Sequence, residues 1–225
     1  MFAHIAPRYD VANRVLSGGV DHRWRRGAVR FSGAGPGDRV LDVCSGTGDL
    51  ALALARTGSR VVGSDFTFEM LRRAGPKTAA QADRLDHPPT FVAGDAMELP
   101  FRDDSFDLVT VAFGIRNVSA PLDGLREMRR VTRPGGRIVV LEFCKPRVPV
   151  VGALYRFYFR RILPVLGRMI SGDTKGAYSY LPESVMAFPE RGEFLELMRR
   201  AGLEAPHQKI LTCGIAALYR AEVPA

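Results

Sequence analysis

Five short runs rich in apolar residues punctuate the first two thirds of this chain: 40–44, 60–64, 90–93, 106–112 and 137–143. Each ends at a small, glycine or acidic break, and several read as strands covered on both faces rather than one. Between most of them lie stretches of helical spacing, 49–57, 67–84 and 122–131. Strands alternating with helices predict a doubly wound, mostly parallel sheet. Residues 7–32 predict one or two helices broken at Ser17-Gly18-Gly19, and Pro134-Gly135-Gly136 predicts a turn before the fifth strand. An apolar, aromatic and arginine-rich segment spans 150–171. A helix over 190–201 then leads to two strands, 204–212 and 215–221, joined by a tight turn at Thr212-Cys213-Gly214. The expected architecture is one α/β domain over residues 1–225. It has an N-terminal helical cap (1–35), a helical insertion (145–185) before the last two strands, and seven strands in all.

The first strand carries the most informative junction, Val40-Leu-Asp-Val-Cys-Ser-Gly-Thr-Gly-Asp49. Strand, glycine turn and helix open a nucleotide-binding α/β unit. Asp49 is placed to cap the helix that follows. The spacing is G-x-G-D without a third glycine, so the pyrophosphate fingerprint is absent. A ligand with an adenosine and no diphosphate fits, and S-adenosylmethionine is such a ligand. An NAD-dependent oxidoreductase is disfavoured on the same ground.

Each break offers a group that this cofactor needs. Gly46 and Gly48 allow close backbone approach, Thr47 offers a hydroxyl to the carboxylate, and Asp42 can accept from the ammonium. Asp65, seventeen residues after Gly48, ends the second strand where ribose hydroxyls lie in related folds. Phe66 can pack on adenine. Asp95 can accept the adenine amine, and the Ala96 N–H can read a ring nitrogen. The fourth strand ends at Ala112, beside the methyl to be transferred. Each group alone is weak; four in order at successive strand ends are not.

Composition narrows the partners. The 225 residues carry a net charge of +8, yet only Lys77, Lys145, Lys175 and Lys209 are lysines among 32 basic residues. The charge is spread along the chain, and no nucleic-acid-binding module is visible, so nucleic acid is not expected. Neither a signal peptide nor an eighteen-residue apolar run is seen. Cys44, Cys144 and Cys213 are expected to be small buried residues in a reducing, cytoplasmic compartment. No His/Cys/Asp cluster has metal-ligand spacing.

Several blocks outside the cofactor motifs are more specific. They are Phe2-x-x-Ile5-Ala6-x-x-Tyr9-Asp10-x-x-Asn13-x-x-Leu16-Ser17 with Trp24-Arg25, then Phe113-Gly-Ile-Arg-Asn117. Further on come Arg130-Val131-x-x-Pro134-Gly-Gly136, Leu141-Glu-Phe143 and Tyr178-x-Tyr180-Leu181-x-x-Ser184. Over nearly its whole length the chain resembles the bacterial menaquinone/ubiquinone biosynthesis C-methyltransferases. Asp21, Cys144, Arg133 and Ala112 depart from the family's usual His, Ser, Lys and Ser or Asn. A cofactor contact at Ala112 would therefore be through backbone. The resemblance implies a class I S-adenosylmethionine-dependent methyltransferase fold. The reaction it implies is methylation of demethylmenaquinol to menaquinol, with S-adenosylhomocysteine as the second product.

Carbon methylation of a hydroxylated ring requires loss of the hydroxyl proton and stabilisation of the oxyanion. Arginine stays protonated, so Arg116 reads as an oxyanion stabiliser. The resemblance implies that Arg116, Asn117 and Tyr9 act around a water that takes the proton. His4 and His22 are alternative bases, and Tyr178 and Tyr180 can wall the quinol. The 150–170 segment suits an interfacial element admitting a lipid tail, with peripheral contact at the inner membrane face. A homodimer is a further expectation. Benzoquinol methylation in ubiquinone biosynthesis, another phenolic or lipid acceptor, and a non-catalytic cofactor-binding subunit are the competing readings.

Overall fold

The computed structural model describes residues 2–171 and 177–225. Helices α1 (Phe2–Ile5), α2 (Tyr9–Leu16) and α3 (Val20–Ser32) precede the sheet. The break between α2 and α3 falls at Gly18 and Gly19, whose φ values of +59° and +75° turn the chain sharply. Then come β1 (Arg39–Val43), α4 (Asp49–Ala55), β2 (Arg60–Asp65), α5 (Phe68–Ala79), β3 (Thr90–Ala93) and β4 (Phe106–Ala112). A 3-10 turn over Ile115–Asn117 leads to α6 (Pro121–Val131) and β5 (Thr132–Phe143). Helices α7 (Pro149–Phe157), α8 (Leu163–Ser171), α9 (Ala177–Ala187) and α10 (Gly192–Arg200) precede β6 (Glu204–Leu211) and β7 (Ala216–Glu222).

Among the described residues the sheet has seven strands in the order β3-β2-β1-β4-β5-β7-β6. The first five run parallel and β7 runs antiparallel between β5 and β6. The order reverses between β1 and β4, and ligands of open α/β sheets bind in the crevice outside the strand ends at such a switch point.

The two-residue period of the strands divides the core between the faces of the sheet. Leu41, Val43, Val109, Val111, Ile138 and Val140 face α6 and α10. Val40, Leu108, Val139 and Leu141 face α3 and α4, where Trp24, Leu50 and Leu54 pack on them. A third cluster joins Ala12 of α2 to Tyr155, Phe159, Leu163 and Val185. Each fully buried large side chain contributes about 2 kcal/mol, so these clusters fix the strand ends firmly.

Four details differ from the sequence expectation. The helix expected over 67–84 ends at Ala79, and Ala82–Arg84 form a separate 3-10 turn. Pro134-Gly135-Gly136 is drawn into β5, because Gly135 N–H donates to Val223 O at 3.0 Å and Val223 N–H to Gly136 O at 2.9 Å. Asp49 does not cap α4: Gly48, at φ +82°, occupies that position, and the Asp49 carboxylate pairs with Lys77. Cys213 is exposed, because it sits at the tip of the tight turn between β6 and β7 at φ +53°. Cys144 is buried as expected and Cys44 partly so. No helix among the described residues is long and apolar enough to cross a membrane.

Candidate active site

Two cavities meet at Tyr9 and Phe113, just past the C-terminal end of β4. The first, about 320 Å³, is lined by Gly46, Asp65, Phe66, Asp95, Ala96 and Ala112, six of the residues expected at the cofactor. Asp65 is held on both oxygens: Oδ2 accepts Gly46 N–H at 2.8 Å and Oδ1 accepts Thr67 N–H at 2.7 Å. Burial nonetheless raises its pKa, against the lowering effect of those two N–H donors. Asp95 Oδ1 accepts Met97 N–H at 2.9 Å. Phe66 is 79% exposed, an uncovered ring suited to stacking on a ligand's base.

Gly48 lines none of these spaces. A Cβ there would come within 2.8 Å of the Phe91 ring, so its lack of a side chain serves the packing of α4 on the sheet. Of these two glycines, Gly46 lines the cavity.

A small side chamber opens from this cavity beneath Tyr9 and is lined by Asp42, Thr47, Asp49 and Arg25. Asp42 is 1% exposed. Its Oδ1 accepts the Thr110 hydroxyl at 2.9 Å, and its Oδ2 has no hydrogen-bond partner. Burial pushes the carboxyl up to about 7, against the lowering effects of the Thr110 hydroxyl and of Arg25. Thr47 does not present a free hydroxyl. It donates to Asp10 Oδ1 at 2.6 Å, and Asp10 Oδ2 also accepts from Lys77 at 2.8 Å. Lys77 also pairs with Asp49, so α2, the glycine turn and α5 are tied together over the chamber.

The second cavity, about 190 Å³, is apolar and aromatic. Trp24, Phe113, Phe143 and Phe159 form a continuous edge-to-face and tilted array along it, with ring centroids 4.5–6.2 Å apart. Tyr180 lies on this wall. Tyr178 belongs to α9, and its side chain lies outside the described residues. His4 and His22 line neither cavity.

Arg116 and Asn117 are neighbours on the 3-10 turn after β4 but face different spaces. Arg116 lines the aromatic cavity and Asn117 the cofactor-type cavity. Tyr9 lines all three chambers. Arg116 Nη1 donates to Glu142 Oε1 at 2.8 Å and to Phe113 O at 2.5 Å, and its guanidinium lies 5.2 Å from the Phe143 ring centroid. The side chains of Arg116 and Glu142 are 7% and 1% exposed. Burial raises the Glu142 pKa and the arginine opposes that rise. Arg116 Nε, Asn117 Oδ1 and Glu142 Oε2 are buried without partners.

Sequence reading missed three residues. Glu142 was visible only as part of a matching block. Arg25 was legible only beside Trp24. Tyr155, whose buried hydroxyl in the aromatic cavity lacks a partner, had no signal beyond an aromatic segment.

The residues fit the cofactor the sequence suggests. An orphaned buried carboxylate oxygen, an acid at the end of β2, an exposed ring beside it and an acid at the end of β3 suit an ammonium, a ribose, an adenine and its amine. Among the described residues no group of three or more His, Cys, Asp or Glu is placed to hold a metal.

Comparison with known proteins places the chain. The ubiE/COQ5 methyltransferase family matches residues 1–222. A ubiquinone/menaquinone biosynthesis C-methyltransferase UbiE from Bdellovibrio bacteriovorus is 47% identical, covering 99% of this chain and 94% of that protein. Demethylmenaquinone methyltransferases of Deinococcus radiodurans and Thermus thermophilus are 48% and 47% identical; they cover 97% and 100% of this chain and 89% and 100% of their own. A SAM-dependent methyltransferase structure from Aquifex aeolicus superposes with a TM-score of 0.65 at 19% identity, over 88% of this chain and 89% of that one, a likeness of fold alone.

Proposed function

The chain belongs to the ubiE/COQ5 methyltransferase family, and we propose from that premise that it methylates its acceptor across the wall shared by the cofactor-type and aromatic cavities. It is an S-adenosylmethionine-dependent C-methyltransferase of menaquinone biosynthesis, converting demethylmenaquinol to menaquinol. The observation that carries the site is the division of labour at that wall. Tyr9 and Phe113 border both cavities, Arg116 faces the aromatic one and Asn117 the other.

S-adenosylmethionine supplies a methyl on a sulfonium, electrophilic without any metal. In this reading Asp42, Gly46, Asp65, Phe66, Asp95, Ala96 and Ala112 hold it. Gly48 shapes the turn rather than touching it, and Thr47, on the wall of the side chamber, has its hydroxyl proton engaged by Asp10. The aromatic array orients the flat quinol ring, with Tyr180 on its wall, and excludes water. Arg116 is held by Glu142 and turns its remaining N–H groups toward the ring oxygen as negative charge develops. Glu142 holds that guanidinium in place. Tyr9 and the free Asn117 Oδ1 position the water that removes the hydroxyl proton.

The membrane enters the same proposal. From 145 to 171 the chain has six Lys and Arg and no Asp or Glu. On α7 and α8, Val150, Leu154, Phe157 and Met169 are 59–75% exposed, while Tyr155, Phe159 and Leu163 of the same segment line the aromatic cavity. Such an element lies on an anionic bilayer and admits the polyprenyl tail. The edge strand β6 offers unpaired backbone to a second copy, which supports a homodimer.

The test is a labelled-methyl assay with reduced demethylmenaquinone and a benzoquinol analogue in parallel. Labelled menaquinol in large excess over the benzoquinol product supports the reading. Cofactor binding without transfer to either ring overturns the acceptor assignment. Flotation with anionic vesicles and sedimentation velocity test the membrane and the dimer.

A further inference from the structure

The amino-acid end of the cofactor is a zwitterion, so its pocket must answer a carboxylate and an ammonium together. Asp42, with one buried oxygen unpartnered, answers the ammonium. The usual candidates for the carboxylate are already engaged. The Thr47 hydroxyl donates to Asp10. Helix α4 begins with the carboxylate of Asp49, which repels a second one at close range. Lys77 neutralises Asp49 and Asp10 together and does not line the chamber.

One cation remains on the chamber wall, Arg25 of α3. Its Nη1 is 2.7 Å from Asp21 Oδ2, and its other guanidinium nitrogens have no hydrogen bond among the described residues. The guanidinium sits 5.6 Å from the Phe113 ring centroid, and Arg25 lines both the side chamber and the aromatic cavity. Asp21 and the ring fix its position, so little side-chain entropy is lost on binding.

We propose that Arg25 binds the α-carboxylate of S-adenosylmethionine, opposite Asp42 at the α-ammonium. Together the two residues clamp the amino-acid end beneath Tyr9. Arg25 then selects the intact cofactor against adenosyl thioethers and sulfoniums that lack the carboxylate.

The experiment is a binding cycle by calorimetry without acceptor, so it does not depend on the quinol assignment. Wild type and R25Q are each titrated with S-adenosylhomocysteine and with its decarboxylated analogue. A charge-assisted pair of this kind is worth about 10- to 100-fold in affinity. Wild type is expected to prefer the intact ligand by that factor. R25Q is expected to lose the preference by weakening the intact ligand alone, with the analogue unchanged within about threefold. R25K, keeping the charge but not the fork, is expected to fall between. R25Q leaves Asp21, 6% exposed, without its cation. If R25Q fails to fold, R25Q/D21N removes that buried charge and carries the test. Preference retained without Arg25, or equal weakening of both ligands, overturns the proposal.

Discussion

Asp42 should couple cofactor binding to proton release. Its carboxyl is buried, with a pKa of about 7 against 3.8 for a solvent-exposed aspartate. Each tenfold in an ionisation constant is about 1.4 kcal/mol, so the shift corresponds to about 4 kcal/mol. The sign follows from which state holds the proton more tightly. The folded state does, so this group's contribution is fully present below pH 3.8 and is lost as pH rises through about 7. D42N cannot ionise and should remove that slope. Above pH 7 it should be more stable than the wild type by as much as about 4 kcal/mol, read by urea denaturation from pH 5 to 8. An arriving ammonium favours the carboxylate. Binding of S-adenosylhomocysteine should therefore release about nine-tenths of a proton at pH 6 and about a tenth at pH 8. Affinity should fall about tenfold per pH unit below 7. Calorimetry in two buffers of different ionisation heat measures the release directly. Equal heats in both buffers at pH 6, or the same release from D42N, would refute the reasoning.

Three further outcomes are expected. R116A leaves the 1%-exposed Glu142 carboxylate without its cation and should cost about 3–5 kcal/mol in urea unfolding. R116Q/E142Q should recover most of that stability while remaining inactive in methyl transfer, which separates the arginine's chemistry from its structural burden. G114A places a Cβ 2.3 Å from Cys44 Cβ and should destabilise by about 1–3 kcal/mol, largely reversed by C44G because position 44 already sits at φ +54°. K77A opens the tie between Asp10 and Asp49. Lys77 and Asp10 are 26% and 34% exposed, so global stability should change by under about 1 kcal/mol, while amide exchange over residues 9–16 quickens several-fold.

Much of the fold was legible because burial on both faces of a parallel sheet leaves a mark in the linear order of residues. Thr90–Ala93 and Phe106–Ala112 match the observed strands end to end, and the helices between them differ mainly at their ends. The cofactor acids were legible for the same reason, since Asp65 and Asp95 close apolar runs. Departures arise where partners are distant in sequence. The Pro134-Gly135-Gly136 turn becomes strand only because Val223, from the far end of the chain, takes up its backbone groups.

The sequence by itself determined the sheet, the glycine turn and the acids at successive strand ends, because strand period and turn chemistry act between near neighbours. Tertiary structure alone decided who engages whom at the site. It gave the Thr47 hydroxyl to Asp10, buried Arg116 against Glu142, turned adjacent Arg116 and Asn117 into separate cavities, and brought Arg25 to the side of Asp42. The physical reason is that a charge or hydroxyl is assigned by the groups within a few ångströms of it. In this chain those groups lie 17 to 68 residues apart, as with Arg25 and Asp42 or Thr110 and Asp42.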